Sequence, residues 1–257
     1  MSKTGYQQVV DFNTCFGSHV TTEHDKHLYF SHPNTVNLKY GLVDEEVKEL
    51  EEAYMENDIK EIVDALCDIK YVLYGMAAAF GINSDVEFKK YLRYTGDTTD
   101  NNCSDFEMVK NLTHDINYNV KNYKENIKNS EFKNSTDKII SNIRMINANL
   151  KKATNNAKFD IMLQELNVLL YHVNLMGSTI GVNLDDAFNI VHSSNMSKVC
   201  SSEELAKETV DWYLSNDVRY KTPSYRKSEY GWIVFNKDTG KILKSIKYTV
   251  ADFSTLL

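Results

Sequence analysis

The chain has 257 residues, 42% hydrophobic and 25% charged, enough to bury the core of one large domain or two small ones. A formal charge of −7 and a pI near 5.5 disfavour nucleic acid as the main ligand. Cys15, Cys67, Cys103 and Cys200 lie far apart without zinc or disulfide spacing, which reads as free thiols in a reducing compartment. The longest apolar run, Tyr71 to Ile82, is about half of what a bilayer requires, and the N-terminus lacks a signal-peptide core. A soluble cytoplasmic protein with no membrane partner is expected.

With two prolines and ten glycines there are few breakers, and apolar residues recur at three- and four-residue steps through most of the first 215 positions, so the chain reads as mainly α. Leu38, Leu42, Val43, Val47 and Leu50 form one stripe, Asn57-Asp58 interrupts it, and a second helix over about 59–80 stops at Gly81, predicting a helical hairpin. The polar, turn-rich stretch 95–104 reads as a linker. Phe106, Val109, Leu112, Ile116, Val120 and Tyr123 predict one amphipathic helix, followed by helices over about 135–153 and 159–180. A last helix over about 202–214 opens with Ser201 and Glu204 in capping-box spacing. Strand 232–235, turn 236–240 and strand 241–245 then predict a small C-terminal β-hairpin packed on the helices. These breaks divide the chain into 1–94, the linker 95–104, a second helical half 105–200 and an appendage 201–257.

Sliding the chain by 100 residues superposes Leu66 on Leu166, Tyr71 on Tyr171, Met76 on Met176, Gly81 on Gly181, Asn83 on Asn183, Asp85 on Asp185 and Phe88 on Phe188. Seven matches over 61–88 indicate an internal duplication, although two helical hairpins of similar periodicity would share part of this signal. In the same register Glu45, Glu46, Glu49, Glu61, Asp64 and Asp68 face Met145, Ile146, Asn149, Ile161, Gln164 and Val168. One half keeps acids that the other lacks.

Glu45 and Glu49 stand at i and i+4 beside Glu46, while Glu61, Asp64 and Asp68 stand at i, i+3 and i+7 on the next helix. A hairpin can bring the two faces together, where like charges repel unless a hard divalent cation, Mg²⁺ or Mn²⁺, holds them. Any one of the glutamates alone reads as well as a solvated face, and Asp58 with Glu61 fits a capping box. Asp64 and Asp68 interrupt an otherwise apolar helix, and acids placed so need a partner.

The strings LVDEEVKELEEA and EIVDALCDIKYVLYGMAAAFGI resemble the all-α nucleoside triphosphate pyrophosphohydrolase superfamily, which includes MazG, phosphoribosyl-ATP pyrophosphohydrolase and the dimeric dUTPases. The family's EExxE and ExxD signature maps onto Glu45-Glu46-x-x-Glu49 and Glu61-x-x-Asp64, with eleven residues between Glu49 and Glu61. Asp68, the opening VVDFNTCFG and the segment LDDAFNIVHSSNMSK are similar to the phosphoribosyl-ATP pyrophosphohydrolase-like branch, although Asn13 stands where His is expected and Lys39 where Arg is more usual. The resemblance covers about 9–88 and 181–198, and implies a helical bundle of that superfamily's type.

It also implies Mg²⁺-dependent cleavage of the α–β phosphoanhydride of a (deoxy)nucleoside triphosphate or related nucleotide, giving a monophosphate and pyrophosphate. By the same carry-over Glu46, Glu49, Glu61 and Asp64 are metal ligands, Glu45 orients or deprotonates the attacking water, and Asp68 is a further ligand or supports one. Lys39, Asn195 and Lys198 are substrate-binding candidates, the last two reading equally well as a solvated helix end. Arg219, Lys221, Arg226, Lys241 and Lys244 read as solvated surface more readily than as a phosphate clamp. His19, His24 and His27 fit no zinc pattern, His114, His172 and His192 are ordinary, and Tyr71 and Tyr171 read as core aromatics. A non-catalytic nucleotide-binding protein on the same fold is the alternative, and a helical adaptor is the weakest reading. The two halves would form a pseudo-dimer in one chain, with homodimerisation open. Base and sugar preference are not legible.

Overall fold

Helix breakers are sparse, and Gly81 and Gly181 sit where long helices end. The computed structural model describes residues 3–94, 103–112 and 118–257, and has eleven helices among them. These are α1 (Gly5–Cys15), α2 (Leu28–Ser31), α3 (Pro33–Glu56), α4 (Ile59–Ala79), α5 (Ser84–Tyr94), α6 (Asp105–Leu112), α7 (Tyr123–Asn126), α8 (Ser130–Asn155), α9 (Phe159–Ile180), α10 (Leu184–Met196) and α11 (Glu203–Asn216). The antiparallel strands β1 (Pro223–Ser228) and β2 (Gly231–Asn236) follow, so the chain is mainly α with a small C-terminal β-hairpin, as the periodicity predicts. Most of the expected linker, 95–104, lies outside the described residues, as does His114.

The two long hairpins, α3–α4 and α8–α9, repeat one construction at a spacing of one hundred. Asn57 and Ala157 take left-handed conformations at the two turns, and Gly81 and Gly181 do so after α4 and α9. A Cβ on Gly81 would meet the Glu23 carbonyl oxygen at 1.8 Å, and one on Gly181 the Tyr118 carbonyl oxygen at 2.0 Å, so glycine is required twice for one reason. Thr4 caps α1 and donates to Asp85 at 2.8 Å, just as Ser104 caps α6 and donates to Asp185 at 2.5 Å.

The closing helices cross over. From the second half α10 packs on α4, and from the first half α5 packs on α9, while α1 lies on α4 and α6 on α9. One continuous hydrophobic cluster runs through both halves. Lys70 of α4, only 2% exposed, reaches across to Asn174 at 3.0 Å and Asp185 at 3.6 Å. No single helix among the described residues is long and apolar enough to cross a membrane; α4 and α5 pass that test only as a pair bent by 105°.

Three expectations need correction. The single helix through Phe106 and Tyr123 is broken: Tyr118 and Asn119 are non-helical, and Asn119 instead caps a 3-10 turn over Val120–Asn122. The cap of α11 is Ser202, which accepts from the Leu205 backbone at 3.2 Å; Ser201 does not cap it. The hairpin pairs 231–236 with the upstream strand 223–228, because Gly231, at φ 135°, closes a two-residue turn with Ser228 opposite it. The downstream segment contributes one isolated bridge, Phe235 to Ile242. The appendage docks on the helices as expected, with Ile233 packed on Cys15 and Phe16 and with Arg226 donating to the Phe16 carbonyl at 2.6 Å.

Candidate active site

The acids lie on facing parts of α3 and α4. Helix α3 starts with Pro33, whose missing N–H is harmless in a first turn, and α4 is capped by Asp58, which accepts from Lys60 and Glu61 backbone N–H groups. Val43, Val47 and Leu50 on α3 bury against Ile62, Leu66 and Ile69 on α4, which leaves Glu45, Glu46 and Glu49 beside Glu61, Asp64 and Asp68 at the edge of that seam. Glu46, Asp64 and Asp68 are half-buried, and Glu45, Glu49 and Glu61 are exposed.

The charges feel one another across the hairpin. Burial, then Asp68, Glu49, Glu45 and Asp64, push the Glu46 carboxyl up to about 8. Burial and Asp64 push Asp68 up to about 7, with Lys198 pulling the other way. Glu49 is raised by burial and then by Glu45 and Asp64; Asp64 is raised by burial and then by Glu61. Asp44 and Glu51, on another face of α3, are paired with Lys48 and Arg144, whereas the six acids have no cation within 4.0 Å among the described residues.

The donor set fits a hard divalent cation: all donors are carboxylate oxygens, and Oε2 of Glu46 is buried with no hydrogen-bond partner. No group of three among the described residues already stands in coordinating geometry, so rotamer changes would have to complete the set.

The other candidates divide into two places. Beside Asp68, Lys198 lies over the Phe12 ring at 5.8 Å and donates to Asn195 at 2.6 Å; burial lowers its pKa, while Asp68 and Glu46 act in the opposite direction. One turn along α4, Tyr71 stacks on Phe188 at 5.4 Å and donates to or accepts from His192 Nδ1 at 3.1 Å, forming an aromatic wall from α1, α4 and α10. Lys39 stands apart from the acids. It is 7% exposed, with Asn13 Oδ1 at 3.5 Å as its polar neighbour, over the bare backbone of Gly75, and burial lowers it to about 8. The His19–His27 segment is a loop that caps the end of α4 through Thr21 and Asp25 backbone bonds to Ala78 and Phe80.

The family model of phosphoribosyl-ATP pyrophosphohydrolase matches residues 9–91, from within α1 to within α5, a span that holds all six acids. A relative described as an uncharacterised protein of Acanthamoeba polyphaga mimivirus is 32% identical over 99% of this chain and 96% of its own length. The chain belongs to the all-α nucleoside triphosphate pyrophosphohydrolases, in the phosphoribosyl-ATP pyrophosphohydrolase-like branch. No solved structure matches it. Membership supports a nucleotide pyrophosphohydrolase type of activity. The family match stops before α6, so Asn195 and Lys198 come from a part of the chain that the family match does not cover but the match to the viral relative does. Sequence reasoning set Lys244 among five C-terminal basic residues that read more readily as solvated surface, and nothing in it separated Lys244, whose charge reaches both Asp64 and Lys198, from the others. Its approach depends on a chain path that no local pattern encodes.

Proposed function

We propose that this protein is a Mg²⁺-dependent nucleotide pyrophosphohydrolase, with Mn²⁺ able to substitute, that hydrolyses the α–β phosphoanhydride of a (deoxy)nucleoside triphosphate or related nucleotide. The observation that carries this reading is the set of mutually repelling carboxylates on α3 and α4, with a buried Glu46 oxygen lacking any partner, beside a lysine from α10's end. Unpaired acids in a half-buried seam destabilise a fold, and their retention makes sense if a cation and an anionic substrate complete them.

Glu46, Glu49, Glu61 and Asp64 would hold Mg²⁺, and Asp68 would hold or orient one of these groups. Bound there, the ion supplies Lewis-acid stabilisation of the phosphate oxygens. Glu45 is exposed beside them and takes the role of orienting and deprotonating the attacking water. Water adds to phosphorus, the α–β P–O bond breaks, and a monophosphate and pyrophosphate leave. Lys198, oriented by Asn195, offers its ammonium to phosphate oxygens. Lys39 and Asn13 lie farther along the seam, suited to contacts beyond the reacting phosphates. We further read the chain as its own pseudo-dimer, because α10 of the second half covers α4 of the first.

The test is pyrophosphate release from a panel of ribo- and deoxyribonucleoside triphosphates with Mg²⁺ or Mn²⁺. Asp64→Asn and Glu49→Gln should each lower kcat by at least about a hundredfold, as expected for groups that stabilise transition-state charge. Nucleotide binding without turnover by the unaltered protein would move the reading to sequestration or sensing.

A further inference from the structure

The segment 243–249 runs from the hairpin back over the helices as a strap, and it is pinned on both sides of Lys244. Leu243 is buried and its N–H donates to Val234 at 2.9 Å, while the Lys244 carbonyl accepts from the Tyr213 hydroxyl at 3.1 Å. The Ile246 N–H donates to Thr209 at 3.3 Å. At its far end Ser194 donates to the Thr249 carbonyl at 2.8 Å, and the Thr249 N–H donates to Ser197 at 2.9 Å. Ser194 and Ser197 belong to the same turn as Asn195 and Lys198, so strap and turn are one unit.

The side chain of Lys244 is exposed, and its ammonium is held 4.3 Å from the Tyr248 ring centroid. It has no carboxylate within 4.0 Å among the described residues, yet its charge reaches Asp64 on one side and Lys198 on the other. Of the other C-terminal basic residues, Arg219 pairs with Asp217 at 2.7 Å, Arg226 donates to the Phe16 carbonyl and Lys241 lies over the Tyr220 ring, while Lys60 of α4 acts on Asp64 from the acids' own helix. Two lysines that repel each other beside a row of acids form a half-neutralised site, and an anion that bridges the lysines while sharing a cation with the acids relieves both repulsions.

We propose that the strap presents Lys244 to the phosphate chain of the substrate, as the partner of Lys198 in a two-lysine clamp for the pyrophosphate portion. This rests on the nucleotide pyrophosphohydrolase reading and adds to it a specificity-determining residue from the C-terminal appendage, outside the family match.

Calorimetric titration of the full-length protein with inorganic pyrophosphate in saturating Mg²⁺ tests it, alongside Lys244→Gln, Lys244→Arg and Lys241→Gln. Lys244→Gln should weaken pyrophosphate binding about tenfold, the size of one charge-assisted contact, and raise KM more than it lowers kcat. Lys244→Arg should recover most of the affinity, and Lys241→Gln should leave it unchanged. Equal affinity in Lys244→Gln and the unaltered protein overturns the clamp alone. Failure of the unaltered protein to bind pyrophosphate overturns the nucleotide reading itself, and the clamp with it.

Discussion

The first hairpin and the second are built alike and filled differently. Where α3 carries Lys39 and Glu46, α8 carries Ile139 and Ile146, both buried; where α4 carries Asp68, Lys70 and Gly75, α9 carries Val168, Leu170 and Leu175. The second hairpin thus shows what this scaffold does when only packing is at stake: the same seam closes with aliphatic side chains. The first keeps charges there, and buried charges without partners oppose folding. The difference locates the function in the first hairpin more sharply than the acids alone do, because every acid has an uncharged counterpart in the same fold, apolar for all but Glu49 and Asp64, which face Asn149 and Gln164.

Converting the first seam into the second is the strongest way to break that comparison. Glu46→Ile with Asp68→Val should abolish metal-dependent turnover, by at least about a hundredfold, and raise the melting temperature by about 3–6 °C as repulsion and desolvation are removed. A melting temperature that falls would mean the acids are structurally satisfied and the halves are not equivalent. Gly81→Ala and Gly181→Ala sharpen the comparison from the other side, since both residues are left-handed and pressed on a carbonyl. Each should destabilise by at least about 2 kcal/mol in urea melts, and by similar amounts.

The seam also sets a pH dependence that reaches higher than the second half's, where burial raises Asp105 to about 6. Glu46 at about 8 and Asp68 at about 7 hold protons in the folded state that the unfolded chain releases near the ordinary carboxylate range. Folding stability without metal should therefore be highest at low pH from these groups and fall as pH rises to about 8, where Mg²⁺ should restore it. Lys39, lowered to about 8, acts in the window above that, where stability recovers as the unfolded chain's lysine deprotonates. Melts across this range, with and without Mg²⁺, should show the slope in the unaltered protein and a shallower one in Glu46→Ile with Asp68→Val, where Asp105, raised to about 6 by burial, still contributes. The smallest effect is expected at Arg144, whose exposed bond to Glu51 links α8 to α3 at 2.7 Å. Arg144→Ala should change stability by less than about 1 kcal/mol.

Much of this was readable from local pattern. The hairpins 33–56 with 59–79 and 130–155 with 159–180 follow from periodicity and breakers, because a helix buries one face and needs a stop. The acids on α3 and α4 could be paired from their spacing for the same reason. The break at Tyr118 and Asn119 was not legible, since apolar spacing continues through it. Nor was the partner of strand 231–236: both flanking segments alternate acceptably, and the tight turn at Gly231 with the packing of α11 selected the upstream one.

The sequence by itself determined the helical class, the repeat at one hundred residues and the chemistry of the acids, because side-chain period and residue type are local properties. Only the tertiary structure decided that α10 and α5 exchange between halves, that Lys39 is buried away from the acids while Lys198 faces them, and that a C-terminal strap is tied to the turn that carries Lys198. Those facts rest on interactions between residues far apart in the chain, such as Lys198 over the Phe12 ring, where the burial of one shared core, and no local propensity, fixes which surfaces meet.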